Sequence, residues 1–193
     1  MSSLTNKKIG ITSGAFDLFH PGHVLMLKEA KAQCDYLFVA LQTDPNVDRP
    51  EKNRPIQSIE ERYIQLIGCR YVDCVLIYTT EAELLALMDA INPDVRIVGM
   101  DHKDKPFTGD DQGIPVFFNS RDHSYSSSEL RERICTAWQK DVISGRTFEF
   151  PKEMFVMDTL NPHQHELVTA PSAVKIFVKK PYKVTLGKIK KRK

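Results

Sequence analysis

The stretch IGITSGAFDLFHPGHVLMLKEAKAQ, residues 9–33, decides the fold. Its first part, Ile9–Gly14, is a short apolar run that predicts a buried strand, and the apolar spacing from Pro21 to about Gln33 predicts a helix. A second apolar run, Tyr36–Leu41, follows and predicts a second buried strand. Strand, helix and strand in this order form a βαβ unit, in which the two strands are parallel.

The rest of the body repeats this alternation. Three capping signatures, each a Ser or Thr followed three residues later by Glu, predict helix starts, and apolar runs between them predict three further strands. Strands that alternate with helices of this length predict an α/β fold: a Rossmann-like, doubly wound, mostly parallel five-stranded sheet with helices on both faces. The capping pairs are Ser58/Glu61, Thr80/Glu83 and Ser126/Glu129, and the further strands are residues 72–78, 94–100 and 114–118.

The charge of the chain is unevenly distributed. The 27 Lys and Arg against 25 Asp and Glu give a net charge of +2, but residues 174–193 hold nine of the basic residues and no acidic ones. The body is therefore net negative, and an anion that binds it must be held by local donors. After about Gly145 the alternation of elements stops. We therefore predict one domain over residues 1–140 and a C-terminal extension with a basic tail over residues 141–193.

The extension admits two interpretations. Its short, proline-punctuated apolar runs are typical of an arm that packs on the body or on a neighbouring subunit. The alternative, which we favour less, is that Lys188–Lys193 contact nucleic acid or an anionic membrane surface. No apolar run approaches the roughly 18 residues that a membrane span needs, and the N-terminus lacks the pattern of a signal peptide. These features predict a cytoplasmic protein.

Residues 14–23 lie where the first strand ends and the first helix begins, at the edge where doubly wound sheets bind ligands. Pro21 suits the first helical position, Gly22 lets a ligand approach the backbone, and free N–H groups at the helix start favour phosphate. His20 and His23 can donate hydrogen bonds to phosphoryl oxygens. The histidine spacing also fits a zinc site, but neither a cysteine nor a second histidine cluster supplies a nearby third ligand in the first 60 residues. We therefore predict a phosphate site and no protein-held metal.

This strand–GxFD–HxGH–helix arrangement resembles the nucleotidyltransferase superfamily that includes glycerol-3-phosphate cytidylyltransferase. The resemblance covers about residues 8–138. It implies that His20 and His23 bind the nucleotide phosphates and assist attack on the α-phosphorus. Arg121 and the serine triplet after it resemble the second signature of the family, which implies that they hold the leaving pyrophosphate. Ala15 stands where the family commonly has Thr, which removes one hydroxyl from the phosphate site.

The resemblance implies three groups of site residues. Asp17 is expected to orient its loop and a neighbouring histidine rather than to act as a base. The catalytic group is His20, His23, Arg121 and Lys52; the nucleotide-binding group is Gly14, Ala15, Phe16, Asp17, Gly22, Gly99, Asp101, Ser126, Ser127 and Ser128; and the substrate-binding group is Asp44, Arg54, Arg62 and Lys103.

The resemblance also implies the reaction: a nucleoside monophosphate passes from an NTP to a phosphorylated small molecule, and pyrophosphate is released. CTP and glycerol 3-phosphate are the favoured substrates, with ATP and either heptose 1-phosphate or FMN as the alternative. Mg²⁺ is expected on the triphosphate, held mainly by phosphates and water, and a homodimer is expected because similar enzymes commonly form one. The rival from another class is a non-catalytic module that binds nucleotide or nucleic acid.

Overall fold

Five parallel strands form the centre of the sheet in a computed structural model, which describes residues 6–143, 167–169 and 175–178. Their spatial order is β5-β4-β1-β2-β3, so that β1 lies between β2 and β4. The strand order reverses at β1, and the crevice at this point is where doubly wound sheets bind ligands. The predicted five-stranded parallel sheet is confirmed. The strands are β1 (Ile9–Gly14), β2 (Tyr36–Gln42), β3 (Cys74–Tyr78), β4 (Val95–Gly99) and β5 (Val116–Asn119).

Four helices connect or follow these strands, and local sequence accounts for their starts. Capping boxes are formed at the predicted Ser58 and Thr80, and Ser126 Oγ accepts from the Glu129 N–H. These caps satisfy N–H groups that have no partner within a helix. The helices are α1 (Pro21–Lys31), α2 (Ile59–Gly68), α3 (Glu81–Ile91) and α4 (Ser127–Ile143), with a short 3₁₀ turn at Met100–His102.

Apolar clusters cover both faces of the sheet. On one face Leu27 of α1 and Leu66 of α2 pack with Val39 and other strand residues. On the other face Leu84 and its neighbours in α3 pack in a second cluster. Burial of this apolar surface is the main favourable term in folding. The rigid sheet thereby fixes where each loop leaves its carboxyl edge.

Two short strands of the C-terminal extension widen the sheet. β7 (Lys175–Val178) pairs antiparallel with β3, and β6 (Leu167–Thr169) pairs antiparallel with β7. The whole sheet therefore has seven strands, and these parts of the extension pack on the body. Division of the chain at residue 140 stays a prediction, and the basic end at Lys188–Lys193 lies outside the described residues. Within the described segments, no helix combines the length and the apolar character that crossing a membrane requires.

Candidate active site

Two histidines cap the start of α1. The Gly22 N–H donates to Nδ1 of His20 over 3.1 Å, and the His20 N–H donates to Nδ1 of His23 over 3.4 Å. Pro21 occupies the first turn, as predicted. The expectation of free N–H groups is wrong for the start of α1, because the Gly22 N–H is used by the cap and the N–H groups of His23 and Val24 donate to the His20 carbonyl. The donors that remain open at this corner are therefore side chains.

The caps determine which ring nitrogen of each histidine carries the proton. A ring nitrogen that accepts a hydrogen bond has no proton, so neutral His20 and His23 carry theirs on Nε2. Burial, followed by the nearby His20, lowers the pKa of His23 to about 3. Burial also lowers the pKa of His20, with further contributions from His123 and Arg121. Both rings, whose centroids lie 3.9 Å apart, are thus neutral N–H donors near neutral pH.

Asp17 holds the loop between β1 and α1 in place. Its Oδ1 accepts from the N–H groups of Ile56 (3.0 Å) and Gln57 (2.9 Å), and its Oδ2 pairs with Arg131 at 2.5 Å. Burial by itself raises the pKa of Asp17, but these hydrogen bonds and the charge of Arg131 outweigh it and lower the pKa. Asp17 is therefore an ionised anchor of its loop; its partners in these contacts are Ile56, Gln57 and Arg131, and orientation of a histidine stays a prediction.

The same loop holds a strained backbone. Phe16 and Leu18, on either side of Asp17, both have a φ of 50°. Residues other than glycine rarely adopt this left-handed conformation, and it persists only where surrounding contacts enforce it. The contacts of Asp17 supply that constraint, together with a hydrogen bond from Ser127 Oγ to the Asp17 carbonyl at 3.0 Å.

The start of α4, Ser126–Ser128, lies against the start of α1, His20–His23. We call these two segments the serine corner and the histidine corner. Ser127 bridges them through the Asp17 carbonyl, although the two residues are 110 positions apart. Ser126 caps α4, and Ser128 is exposed. Arg121 is 56% exposed and lies 3.6 Å from Asp101, and its charge acts on His20. The structure therefore brings together the two corners that the sequence singles out.

Two residues of the site have no signal in the sequence analysis. Arg131, one turn into α4, pairs with Asp17. His123 packs on the start of α1, where its Cε1 lies 2.7 Å from the position that a Cβ on Gly22 would take. Its Nδ1 is buried and has no hydrogen-bond partner. Neither residue belongs to a motif, so only the approach of α4 to α1 identifies them.

Arg62 is placed differently from the expectation of substrate contact. Its side chain is 2% exposed. It donates to backbone carbonyls at distances of 2.7–3.2 Å, and an acceptor could reach it only after those bonds were lost. Arg62 therefore does not contact substrate, as the resemblance implied, but joins the end of β1, the end of β2 and the start of α2. These three segments form the floor of the site, and Arg62 supports it. The carbonyls belong to Ala15, Gln42, Thr43, Gln57 and Ser58.

The other predicted substrate residues lie in exposed loops. Asp44 Oδ1 accepts from the Asn46 N–H at 2.9 Å, which closes a turn. Arg54 is 79% exposed and lies 3.8 Å from Asp44. Lys103 is exposed just after the 3₁₀ turn. These positions leave their side chains open to solvent or ligand.

A cleft of about 340 Å³ opens at the carboxyl edge of the sheet. Of the predicted residues, Gly14, Ala15, Lys52 and Gly99 line it. Gly99 suits its position because an added Cβ would lie 2.5 Å from Oδ1 of Asp101. The other lining residues include four with polar or charged side chains that are outside the predicted groups: Gln42, Arg49, Glu81 and Arg96.

Three of these residues form one network. Gln42 is buried, its Oε1 accepts from Arg49 Nη2 at 2.9 Å, and its Nε2 donates to Glu81 at 3.1 Å. Arg49 and Glu81 also form an ion pair at 2.9 Å. Since the carboxylate and the guanidinium neutralise each other, this wall of the cleft is polar with little net charge. It is suited to hydroxyl groups.

The described side chains provide no group of three or more His, Cys, Asp or Glu that could hold a metal ion. The paired corners are thus defined by neutral N–H donors, hydroxyls and arginines. These are groups that bind oxyanions. The fold and the site thus define an α/β protein whose two corners carry donors suited to oxyanions.

The chain belongs to the cytidylyltransferase-like family, whose model matches residues 11–133. The predicted resemblance to the nucleotidyltransferase superfamily is confirmed. The match spans both corners of the site, from β1 into α4.

Among curated proteins the chain is similar to several called bifunctional protein HldE. It is 38% identical over 104 residues to that of Granulibacter bethesdensis and 35% identical over 130 residues to that of Campylobacter jejuni. These matches cover 53% and 67% of this chain but only 21% and 28% of the relatives. The chain therefore corresponds to about a quarter of their length.

Two solved structures are also similar. A lipopolysaccharide core biosynthesis protein from Thermoplasma volcanium is 22% identical, with a TM-score of 0.44 over 69% of this chain and 90% of that one. Pantothenate synthetase from Thermus thermophilus is 14% identical, with a TM-score of 0.43 over 72% and 71%.

Proposed function

We propose that this chain is a nucleotidyltransferase that moves a nucleoside monophosphate from an NTP to a phosphorylated small molecule. The observation that carries the proposal is the pair of neutral imidazoles at the start of α1, which the serine corner meets. Mg²⁺ enters as part of the substrate, bound to the triphosphate, because the described residues offer it no protein cage. The family match supports this class of reaction.

The proposed step is an in-line displacement at the α-phosphorus. An oxygen of the acceptor phosphate forms a bond to the α-phosphorus while the bond to the bridging oxygen of the leaving pyrophosphate breaks. No protein nucleophile is required, and catalysis rests on positioning and charge stabilisation. His20 and His23 donate from Nε2–H to phosphate oxygens whose negative charge grows in the transition state.

The leaving pyrophosphate is assigned to the second corner. Arg121 is exposed, so it can leave its 3.6 Å contact with Asp101 and pair with phosphate. Ser128 has an exposed hydroxyl at the start of α4, where the helix dipole favours anions. We assign His123 as a third imidazole of this corner, since its buried Nδ1 lacks a partner and its ring contacts the start of α1.

The relatives favour ATP as the nucleotide and a sugar phosphate such as heptose 1-phosphate as the acceptor, which is the alternative of the sequence analysis. The polar wall of Gln42, Arg49 and Glu81 supports this choice because it offers donors and acceptors for sugar hydroxyls. Transfer from CTP to glycerol 3-phosphate is the second candidate, on the description of the matching family.

Release of pyrophosphate tests the proposal. The full chain is incubated with ATP or CTP and, in turn, heptose 1-phosphate, glycerol 3-phosphate and FMN. We expect the highest rate with ATP and heptose 1-phosphate. His20→Ala should lower kcat at least about a hundredfold, while Lys28→Ala, an exposed change on the same helix, should leave it unchanged.

Two outcomes contradict the proposal. If no NTP yields pyrophosphate with any acceptor, while NTP still binds, the non-catalytic module is the better description. If His20→Ala and Lys28→Ala have equal rates, the histidine corner does not take part in the reaction. Homodimer formation and a cytoplasmic location stay predictions.

A further inference from the structure

Arg96 is a buried cation that the reaction described above does not use. It lies within β4, opposite Ile11 of β1, and is 5% exposed. It is also one of the residues that line the cleft. Burial lowers the pKa of Arg96, whereas Tyr78, Glu81 and Asp110 act in the opposite direction. An arginine nevertheless stays charged in a protein.

The guanidinium lacks a carboxylate partner. None of the ion pairs among the described residues includes Arg96. Glu81, which faces it across the cleft wall, is already paired with Arg49. Asp110 is exposed. Glu81 and Asp110 act on Arg96 without forming an ion pair with it, so its buried charge is only partly compensated, and an anion that contacts the guanidinium directly would stabilise this position.

The surrounding loop holds the guanidinium in one place. Arg96 Nη1 donates to the carbonyl of Thr108, and the guanidinium stacks 5.0 Å above the centroid of the Phe107 ring. Gly109, with a φ of 76°, permits this approach, because a Cβ there would lie 2.9 Å from Nη1. The side chain is therefore fixed on the loop side, and its remaining donors have no protein hydrogen bond within the described residues.

The position of Arg96 separates it from the histidine corner. In the register of β1 and β4, Arg96 aligns with Ile11, which belongs to the apolar cluster under α3. The next residue, Ile97, belongs to the cluster under α1 and α2. Neighbouring side chains of a strand point to opposite faces. Arg96 thus faces the α3 side, whereas the histidines cap α1 on the other side.

We propose that Arg96 is the centre of an anion subsite on the α3 side of the cleft, which holds the acceptor phosphate by the oxygens that do not attack the α-phosphorus. The donors of this subsite are distinct from those assigned to the NTP phosphates. The assignment of its occupant to the acceptor rests on the proposed function. The subsite itself rests on a buried guanidinium fork that lines the cleft and has no ion pair among the described residues.

Titration of simple anions tests the subsite. The full chain is saturated with a non-hydrolysable ATP analogue, which fills the histidine corner, and inorganic phosphate or acetate is titrated in by calorimetry. We expect one bound phosphate ion and weaker binding of acetate, because the acceptor group is a phosphate. Arg96→Met should weaken binding at least about tenfold.

Matched variants keep the test decisive. Arg70→Met makes the same change at an exposed position after α2 and should bind the anion as the wild type does. Arg96→Lys keeps the charge and should weaken anion binding severalfold, since the guanidinium fork is lost. If Arg96→Met does not fold, the anion affinity of Arg96→Lys tests the subsite instead. The affinity for the ATP analogue should stay within about twofold in all variants.

Two results overturn the inference: neither anion binds the wild type, or both Arg96 variants bind it as tightly as Arg70→Met. Failure of the proposed function is seen separately, as failure of the ATP analogue to bind or of pyrophosphate to appear.

Discussion

Replacement of Arg62 by Met tests the structural assignment that differs most from the sequence analysis. The guanidinium donates to five carbonyls at 2.7–3.2 Å. Each buried carbonyl left without a partner costs about 1–3 kcal/mol, although water and small shifts recover part of that cost. We expect Arg62→Met to lower the free energy of unfolding by about 4 kcal/mol, near the upper end for single substitutions. Arg62→Lys, with three donors instead of five, should lose about 2 kcal/mol.

Urea denaturation followed by circular dichroism measures this change, and thermal melting provides a second measurement. A loss of about 4 kcal/mol in a chain of this size lowers Tm by roughly 8–16 °C. Arg70→Met is the matched control, because its side chain is exposed and should contribute less than about 0.5 kcal/mol.

The alternative assignment of Arg62, direct contact with the substrate, gives the opposite pattern. A substrate-contacting arginine leaves stability nearly unchanged when it is replaced, and it raises KM for the acceptor. If Arg62→Met is as stable as Arg70→Met and only KM rises, our reasoning about the floor of the site is refuted.

Three further predictions concern the histidine corner and its anchor. In Gly22→Ala the new Cβ would meet Cε1 of His123 at 2.7 Å and Cε1 of His20 at 2.9 Å. This variant should weaken NTP binding about tenfold in calorimetry, and an unchanged Kd contradicts the packing. His23 has a folded-state pKa of about 3, below the ordinary 6.5, so the unfolded chain takes up its proton first and the free energy of unfolding should fall by up to about 2 kcal/mol between pH 7 and pH 5. If the free energy of unfolding of His23→Gln falls equally between pH 7 and pH 5, the pH dependence does not come from His23. Asp17→Asn should lower the free energy of unfolding, measured in urea, by about 2 kcal/mol because it removes the ion pair with Arg131. An unchanged urea midpoint contradicts the assignment of Asp17 as an anchor of the loop.

Local sequence rules account for most of the fold. Strand and helix periods and capping boxes act within a few residues, so they predict β1–β5 and the helix starts to within about two residues. The pairing of β7 with β3 depends on a contact across about a hundred residues, which no local pattern encodes.

The residues of the site also fall into two groups, those that local sequence identifies and those that only the tertiary structure identifies. His20, Pro21 and His23 can be identified from the sequence alone, because their spacing at a strand-to-helix junction has a local physical reason. The protonation pattern of the two imidazoles, and their neutral state, become visible only with the caps and the burial around them.

Arg62, Arg96 and His123 show the limit of sequence reasoning. An arginine in a helix or strand has the same letter whether it binds carbonyls, faces an empty cleft or lies in solvent, and burial decides among these. The sequence by itself determined the α/β class and the position of the histidine corner, since both follow from neighbours along the chain. Only the tertiary structure decided which cations support the site and which await a ligand, because charge compensation depends on residues that are far apart in the sequence and close in space.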